Sequence, residues 1–448
     1  MGDYDIFNVP ESLITRFYSE PDYASPYRSI FMRDRDRIMY ATAFRRLAGK
    51  TQIYTVGADD HKKNRLTHTL EVSQIARTIA TALELNPDLA EAIALAHDFG
   101  HTPFGHAGEE ILNQIMIPES IYVKGSPFYK QSTDKIKEIF EREDPDKINC
   151  LDYMFGFKHN LQSVRVCGIL EDSYRGSKGE NIGLNLSNYA LYGIMIHSKQ
   201  KYKEGECYPN FHNFFNKQMH IKNHKESAWS FEAYIVKIAD DIAQWHHDLE
   251  DAIREGALPI NKICDIVKDS LQKCFMNNEQ ELLGSISEKG GWDRRCISQL
   301  SHIVVNTLVN DLVETTKENF NKLLNKIKDK DENINENLFT DYKSFKFPIA
   351  KENIISFSNK VDTKNFKGII REAIHHSRNV ERMNEKGKYI IRKLFEAYYA
   401  HPQQLPDGYI LHLMVDFEET GYENIDTVKQ NGIGQARIEI RRGKSRFN

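Results

Sequence analysis

Apolar residues along most of the chain recur at three- and four-residue intervals, the spacing that places them on one face of an α-helix. The clearest segments are RLTHTLEVSQIARTIATALEL, DLAEAIALAHDFG, FEAYIVKIADDIAQWHHDLEDAI and GKYIIRKLFEAYYAH. The alternation of apolar and polar residues that is typical of strands is scarce and clearest near the C-terminus, in HLMVDFEE and ARIEIRRG. The pattern therefore predicts an all-α fold, with these two segments as candidates for a small β-hairpin.

A charged, asparagine-rich stretch from Asn321 to Tyr342 separates two regions of unequal size. Its composition is typical of a solvated helix end that leads into a linker, because few of its later residues could be buried. We expect a larger helical region with an N-terminal arm at residues 1–330 and a smaller, mostly helical region at residues 331–448.

Composition narrows the class of protein without choosing a function. The 448 residues carry a formal net charge of −4, which is too small to indicate a dedicated nucleic-acid binder. The basic runs RDRDR and IRRGKSR are more simply solvated faces or oligomer contacts, so nucleic-acid binding stays open. No CxxC pair occurs among the six cysteines, and no apolar run reaches the roughly 20 residues of a membrane span. We expect a cytoplasmic protein without a membrane partner.

Ionisable residues replace apolar ones on the inward faces of three predicted helices. His68 lies on the apolar face of the first, and the second ends with His97 on its apolar face and Asp98 beside it. The third places Asp240 inward. Two imidazoles and two carboxylates suit a divalent ion such as Mn, Mg, Fe, Co or Ni, with positions left for water. One His-Asp pair is expected by chance among 17 histidines, so the ordered set carries the argument.

The chain resembles the dGTPase-like HD phosphohydrolases, whose metal is held by the pattern H…HD…D. The similarity covers most of Asp34–Asp407, in the blocks FRRLAGKTQIY, RLTHTLEVSQIAR, AHDFGHTPFGHAGEE, FGFKHNLQSVR, ADDIAQWHHDLEDAI and SRNVERMNEKGKYIIRKLFEAY. The resemblance implies an HD-domain helical bundle with additional helices. It also implies that the metal ligands are His68, His97, Asp98 and Asp240.

The stretch GHTPFGHAGEE is predicted to form a turn that opens a new helix. The resemblance implies that His106 and Glu109 act in catalysis there, and that Arg65 and His101 bind phosphate. Simpler roles stay open for three of them. His106 would cap the new helix, Glu109 would offset its N-terminal dipole, and Arg65 would be a solvated surface residue.

Two further residues are implied to read the sugar of a deoxynucleotide. Gln52 matches a glutamine that binds the 3′-hydroxyl, and Asp248 matches an acid with a similar task. The chain departs from many relatives at Gln244, where they have tyrosine, which puts sugar discrimination in doubt. The tail after Pro406 also departs from the usual ending, so base preference does not carry over.

The reaction implied is metal-dependent hydrolysis of dGTP, or of dNTPs more broadly, to a deoxynucleoside and tripolyphosphate. One alternative is an HD-type nucleotidase or phosphodiesterase that acts on monophosphates or cyclic nucleotides. Another is a regulatory oligomer that binds dNTPs or nucleic acid without turnover. The resemblance further implies a homo-oligomer, often a hexamer among relatives, and for some relatives a dNTP effector at a second site.

Overall fold

The computed structural model of the chain describes residues 4–19, 27–50, 63–116, 157–176, 181–196, 229–276, 278–288, 293–328 and most of 354–410. Its α-helices are α1 (Ile30–Tyr40), α2 (Thr42–Arg46), α3 (Arg65–Ala82), α4 (Pro87–Ala96), α5 (Gly105–Met116), α6 (His159–Arg165), α7 (Asn188–Ile196), α8 (Phe231–Arg254), α9 (Ile260–Leu271), α10 (Glu279–Glu288), α11 (Arg294–Lys328) and α12 (Arg378–Ala400). These ranges contain no strand, and the all-α prediction is confirmed. Both segments of the predicted hairpin lie outside the described residues.

Helix α4 lies at the centre of the bundle, with α1, α3, α7 and α8 packed around it. It begins at Pro87, because proline suits the first helical position and the Asn86 side chain accepts from two backbone N–H groups of the first turn. Nearly every later side chain is buried, including Leu89, Ile93 and Leu95. A helix that is apolar all round is stable only when neighbours cover it on every side.

Helices α3 and α8 pack against each other and against α4. The Asn64 side chain caps the start of α3 by accepting from the backbone N–H of Thr67, and Ser230 caps α8 in the same way. On α3 the apolar face is fully buried together with His68. The packing therefore carries ionisable side chains of both helices into the interior.

The N-terminal segment is tied to the bundle through a buried ion pair between Arg16 and Asp34, whose side chains are 7% and 0% exposed. One guanidinium nitrogen of Arg16 lies 2.5 Å from an Asp34 carboxylate oxygen, and another donates to the Ile30 carbonyl. The backbone N–H of Ser187 also donates to Asp34. This pair joins the N-terminal segment, α1 and the start of α7.

Helix α6 supports the turn that follows α4. A Cβ at Gly100 would lie 2.1 Å from the His159 carbonyl oxygen, so only glycine permits this approach. The Ser163 hydroxyl accepts from the Gly100 N–H and donates to the His97 carbonyl. The backbone at the end of α4 is thus fixed by a helix from a distant part of the chain.

Helix α12 covers the next turn and packs along α5. Phe104 has a left-handed backbone, with φ 63°, and its ring lies against Gly387 of α12. A Cβ at Gly387 would lie 2.6 Å from Cγ of Phe104, so the contact requires glycine. Ile391 of α12 joins Ile111 and Ile115 of α5 in a small apolar cluster. This packing holds a backbone conformation that phenylalanine rarely adopts.

Residues after the expected linker also contribute to the main core, since Ile354, Ile355 and Phe366 are buried in it. The Phe357 ring lies 5.8 Å from the Trp245 ring of α8, centroid to centroid. Helix α11 continues to Lys328, and the boundary between residues 330 and 331 stays a prediction. Within the described ranges, every helix is too short or too polar to cross a membrane.

Candidate active site

The four candidate metal ligands converge from α3, the end of α4 and α8. His68 Nε2 lies 2.9 Å from an Asp240 carboxylate oxygen, and His97 Nε2 lies 3.8 Å from the same oxygen. His97 Nε2 is also 3.3 Å from the Asp98 carboxylate. Both imidazoles and Asp98 are buried, whereas the Asp240 side chain is about one-third exposed. The site thus has a closed interior side and one side open to solvent.

The orientation of His97 fits a metal ligand. Its Nδ1 lies 2.6 Å from the Ala94 carbonyl oxygen, which can only accept, so Nδ1 carries the proton. The Nε2 atom, which is the nitrogen left to bind an ion, then faces the two carboxylates. A second ring nitrogen held by a backbone carbonyl is the usual outer-shell arrangement for a metal-bound histidine. The residues present therefore fit a divalent ion with mixed nitrogen and oxygen ligands.

Both carboxylates stay ionised at neutral pH. Burial by itself would raise the pKa of Asp98, but neighbouring positive charges hold that pKa well below its ordinary value. In the same way, burial opposes the hydrogen bond from His68 and the charges of His97 and His68, which together lower the pKa of Asp240. Ionised carboxylates are the form that binds a metal.

Arg65 lies deep in the site and not on the surface. Its side chain is 4% exposed, and one guanidinium nitrogen lies 2.5 Å from an Asp98 carboxylate oxygen. The alternative of a solvated surface arginine is therefore wrong. Arg65 Nε is buried and has no hydrogen-bond partner among the described residues, so a donor is available for an oxygen-rich ligand.

The expected catalytic acid, Glu109, is paired with two cationic or polar groups of a neighbouring segment. It accepts from Lys158 Nζ at 2.9 Å, and its other oxygen contacts the ring Nδ1 and the backbone N–H of His159. Burial raises the pKa of Glu109, but His159 and Lys158 outweigh it and lower that pKa to about 2. Its hydrogen bonds go to Lys158 and His159, which gives no support to a role as a helix-dipole partner of α5.

Three histidines line the wall between Glu109 and the metal ligands. The His101 ring stacks on His159 at 3.9 Å between centroids, and the exposed His106 lies 5.6 Å from His101. Burial, together with the nearby charges of Arg65 and His159, places the pKa of His101 well below its ordinary value. His101 is therefore neutral at pH 7, and its Nε2 lies 3.5 Å from the Asp98 carboxylate.

The expected sugar contacts are described in part. Asp248 is buried on α8, two turns beyond Asp240, and its carboxylate accepts from the Gln244 amide at 2.7 Å. Gln244, where many relatives have tyrosine, thus donates a hydrogen bond directly to Asp248, the residue expected to bind the sugar. Gln52 lies outside the described residues.

Sequence reasoning gave no role to His159 and Lys158, although both lie in the block FGFKHNLQSVR. His159 is buried at the first position of α6, and its partner Glu109 is 50 residues away. The available signal was a histidine that opens a helix directly after a lysine. That signal does not identify the partner, because the pairing depends on how α6 packs against α5.

Comparison with known proteins gives two family matches. The HD domain matches residues 65–185, and a phosphohydrolase-associated domain matches residues 355–417. A deoxyguanosinetriphosphate triphosphohydrolase-like protein of Leptospira interrogans is 32% identical over 396 residues, which cover 88% of this chain and 84% of the relative. A protein of the same description from Syntrophus aciditrophicus is 34% identical over 401 residues, covering 86% and 79%. The HD-domain match, at residues 65–185, spans three of the four candidate ligands, namely His68, His97 and Asp98.

Proposed function

The chain belongs to the deoxyguanosinetriphosphate triphosphohydrolase-like family of HD phosphohydrolases, and from this premise we propose that it hydrolyses dNTPs to deoxynucleosides and tripolyphosphate. The coarser activity, a metal-dependent phosphohydrolase, follows from the family. The observation that carries the finer proposal is the meeting of four candidate ligands with Arg65 and the Glu109–His159 pair in one site.

The candidate ligands His68, His97, Asp98 and Asp240 would hold the divalent ion. When bound, that ion polarises a phosphoryl oxygen and lowers the pKa of a coordinated water. The buried Nε–H of Arg65 supports phosphate binding, because a phosphate oxygen would satisfy it. Lys158, about half exposed and paired with Glu109, adds a second positive charge.

Water adds to the α-phosphorus in this reaction, and the bond from that phosphorus to the sugar 5′-oxygen breaks. The leaving oxygen takes up one proton, and the water loses one. We assign proton transfer to the His101, His106 and His159 group, with Glu109 as the carboxylate that orients His159 and balances its charge. A low pKa suits that task, because Glu109 then stays ionised and can accept from His159 and Lys158.

Discrimination against ribonucleotides would fall to Asp248, with Gln52 as the second expected reader. A carboxylate that accepts from the sugar 3′-hydroxyl must keep a fixed orientation, and the Gln244 amide supplies one. Polar groups set closely around the 3′-hydroxyl would exclude the extra 2′-hydroxyl of a ribonucleotide, partly by crowding and partly by leaving partners unpaired. Gln244 would therefore replace the missing tyrosine by orienting Asp248 and not by packing on the sugar.

Assembly into a homo-oligomer is part of the proposal, as is a dNTP effector at a second site. Helix α12 leaves large apolar side chains exposed among the described residues, and such a surface favours contact between copies. They are Tyr389, Leu394, Tyr398 and Tyr399.

The test incubates the full chain with each dNTP, alone and in pairs, in Mn²⁺ or Mg²⁺, and measures tripolyphosphate by anion exchange. The expected result is tripolyphosphate in equal amount to deoxynucleoside, abolished in Asp240→Asn. Release of orthophosphate from monophosphates, or opening of cyclic nucleotides, would support the alternative HD activities. Tight dNTP binding without any product would support the regulatory oligomer. Turnover only with a second dNTP present would establish the effector.

A further inference from the structure

A second group of metal-type ligands lies on the same pair of helices as the candidate active site but outside it. Glu71 follows on α3 one turn after His68, and His246 and His247 follow on α8 beyond Asp240. His246 Nε2 lies 3.1 Å from an oxygen of Glu71, and His247 Nε2 contacts the same oxygen. Ligand atoms of all three lie within 4.8 Å of one another.

Two successive residues of a helix point about 100° apart, so they do not ordinarily reach one atom of a neighbouring helix. Here both imidazoles turn their Nε2 atoms to a single carboxylate oxygen. The rings lie 4.3 Å apart, centroid to centroid, and are buried to 7% and 3% exposure for His246 and His247. Glu71 is about one-third exposed, which leaves one side of the group open to an ion and its water.

Charged side chains surround the group. Lys63 Nζ lies 3.0 Å from one oxygen of Glu71 and also donates at 3.4 Å to the other oxygen, which faces the histidines, so it holds the carboxylate in place. On the far side of His246, Nδ1 lies 4.0 Å from Glu250, whose carboxylate accepts from Ser301 at 2.8 Å. At 4.0 Å this is a charge contact and not a hydrogen bond, so Glu250 places a negative charge behind the imidazole without fixing its orientation.

We propose that Glu71, His246 and His247 form a second metal site, which takes a divalent first-row transition ion. Two imidazoles and one carboxylate leave positions for water and favour Fe, Co, Ni or Zn over the oxygen-seeking Mg.

The second site adjoins the first through His68. Its ring centroid lies 5.3 Å from that of His247 and 5.8 Å from that of His97. An ion held by Glu71 and the two histidines would join α3 to α8 one turn of α3 beyond the contact between His68 and Asp240. The site does not depend on the triphosphohydrolase activity, because its ligands are separate from the four candidate ligands.

The test is metal stoichiometry of the full chain. Apoprotein is loaded with Co²⁺, passed through a desalting column and measured by inductively coupled plasma mass spectrometry, with visible absorption as a second reading. The expected result is about two Co²⁺ per chain in the wild type and about one in His246→Ala. Asp240→Asn, which disturbs only the first site, is expected to retain the second ion.

Two further variants keep the result decisive. Glu71→Gln preserves shape at a partly exposed position and is expected to lose the same ion even if His246→Ala misfolds. His302→Ala removes an exposed histidine of α11 and is expected to keep both ions. One Co²⁺ per wild-type chain, or a second ion that survives Glu71→Gln, overturns the proposal. A wild type that binds two ions yet hydrolyses no dNTP would refute the proposed function alone.

Discussion

Two buried arginine–aspartate pairs in this molecule have the same nitrogen–oxygen distance, but the pKa of the aspartate is raised in one pair and lowered in the other. Arg16–Asp34 and Arg65–Asp98 both have a nitrogen–oxygen distance of 2.5 Å, and all four side chains are at most 7% exposed. Burial raises the pKa of Asp34, because Arg16 and hydrogen bonds from Ser187 offset it only in part. The pKa of Asp98 is instead well below its ordinary value.

The difference lies in what surrounds each pair. The pKa of Asp98 is lowered first by His97 and then by Arg65, whereas Asp34 has a single arginine and hydrogen bonds from Ser187. Removing a carboxylate from water costs energy in both places, and only concentrated positive charge exceeds that cost. The first pair joins segments of the fold. The second holds a carboxylate in the ionised form that binding a metal would require.

The largest effect is expected from substitution of Asp98. Asp98→Asn should abolish metal binding and turnover, because the amide cannot replace a charged ligand. Asp98→Ala should do the same and also unfold more easily, since it leaves Arg65 buried without a partner, at a cost of about 3–5 kcal/mol. Bound metal, tripolyphosphate release and thermal unfolding are measured together.

Asp34→Asn is the matched control. It weakens an equally buried pair and should cost about 3 kcal/mol of stability while metal content and kcat stay near wild type. Wild-type turnover in metal-replete Asp98→Asn would contradict the assignment of Asp98 as a ligand.

The next largest effect is expected at Glu109, the carboxylate beside the stacked rings of His101 and His159, and at His106. Glu109→Ala and His106→Ala are each expected to lower kcat about 10²–10⁴-fold with metal content intact, because they act in proton transfer and not in metal binding. Single-turnover rates, metal content and melting temperature separate the two roles. Glu110→Ala, at an exposed position of the same helix, should leave the rate unchanged. Lower melting temperatures with near-normal rates would restore the helix-start alternative.

A third buried carboxylate, Glu232, is expected to make the stability of the fold depend on pH. Glu232 is fully buried, accepts from the Asn86 N–H, and has its pKa raised to about 7 by burial. Because that pKa exceeds the value of about 4.5 in an unfolded chain, folding favours the protonated form, and stability is lost as pH rises from 4.5 through 7.

Glu232→Gln should therefore raise the unfolding free energy by about 1–3 kcal/mol at pH 8 and have almost no effect at pH 4.5. Urea unfolding at both values is the measurement. An equal effect at the two pH values would show that the carboxyl does not titrate in the folded state.

The smallest effect is expected at Gln244. Gln244→Ala removes the donor that orients Asp248 and should change the preference for dNTP over rNTP by roughly 3–10-fold, through loss of about one hydrogen bond. The measurement is kcat/KM for a matched dNTP and rNTP pair. Gln244→Glu, which places a second negative charge beside Asp248, should weaken discrimination further. Unchanged ratios in both variants would remove Gln244 from the specificity argument.

Local sequence patterns predicted the helices that position the site. Four-residue spacing placed His68 and His97 on inward faces, and both side chains are buried in the structure. Such features depend on neighbours within one or two turns. The roles of the four candidate ligands stay predictions, although the structure brings them together.

Contacts between distant segments could not be predicted from the sequence. Nothing local shows that Arg65 is buried against Asp98, and its spacing alone left a surface role open. The Glu109–His159 pair joins residues 50 positions apart and exists because α6 packs on the turn after α4. Helix packing selects such partners after the helices form, so periodicity cannot reveal them.

Gly387 lies late in the chain, so its packing against Phe104 can form only late in synthesis. Helices α3, α4 and α8, with all four candidate ligands, leave the ribosome long before α12. A nascent chain can fold its early part first, so it can gather the ligands while Phe104 still lacks the helix that holds its left-handed backbone. Metal capture would then precede catalytic competence, and a chain cut before residue 378 would bind metal without completing its active-site turn.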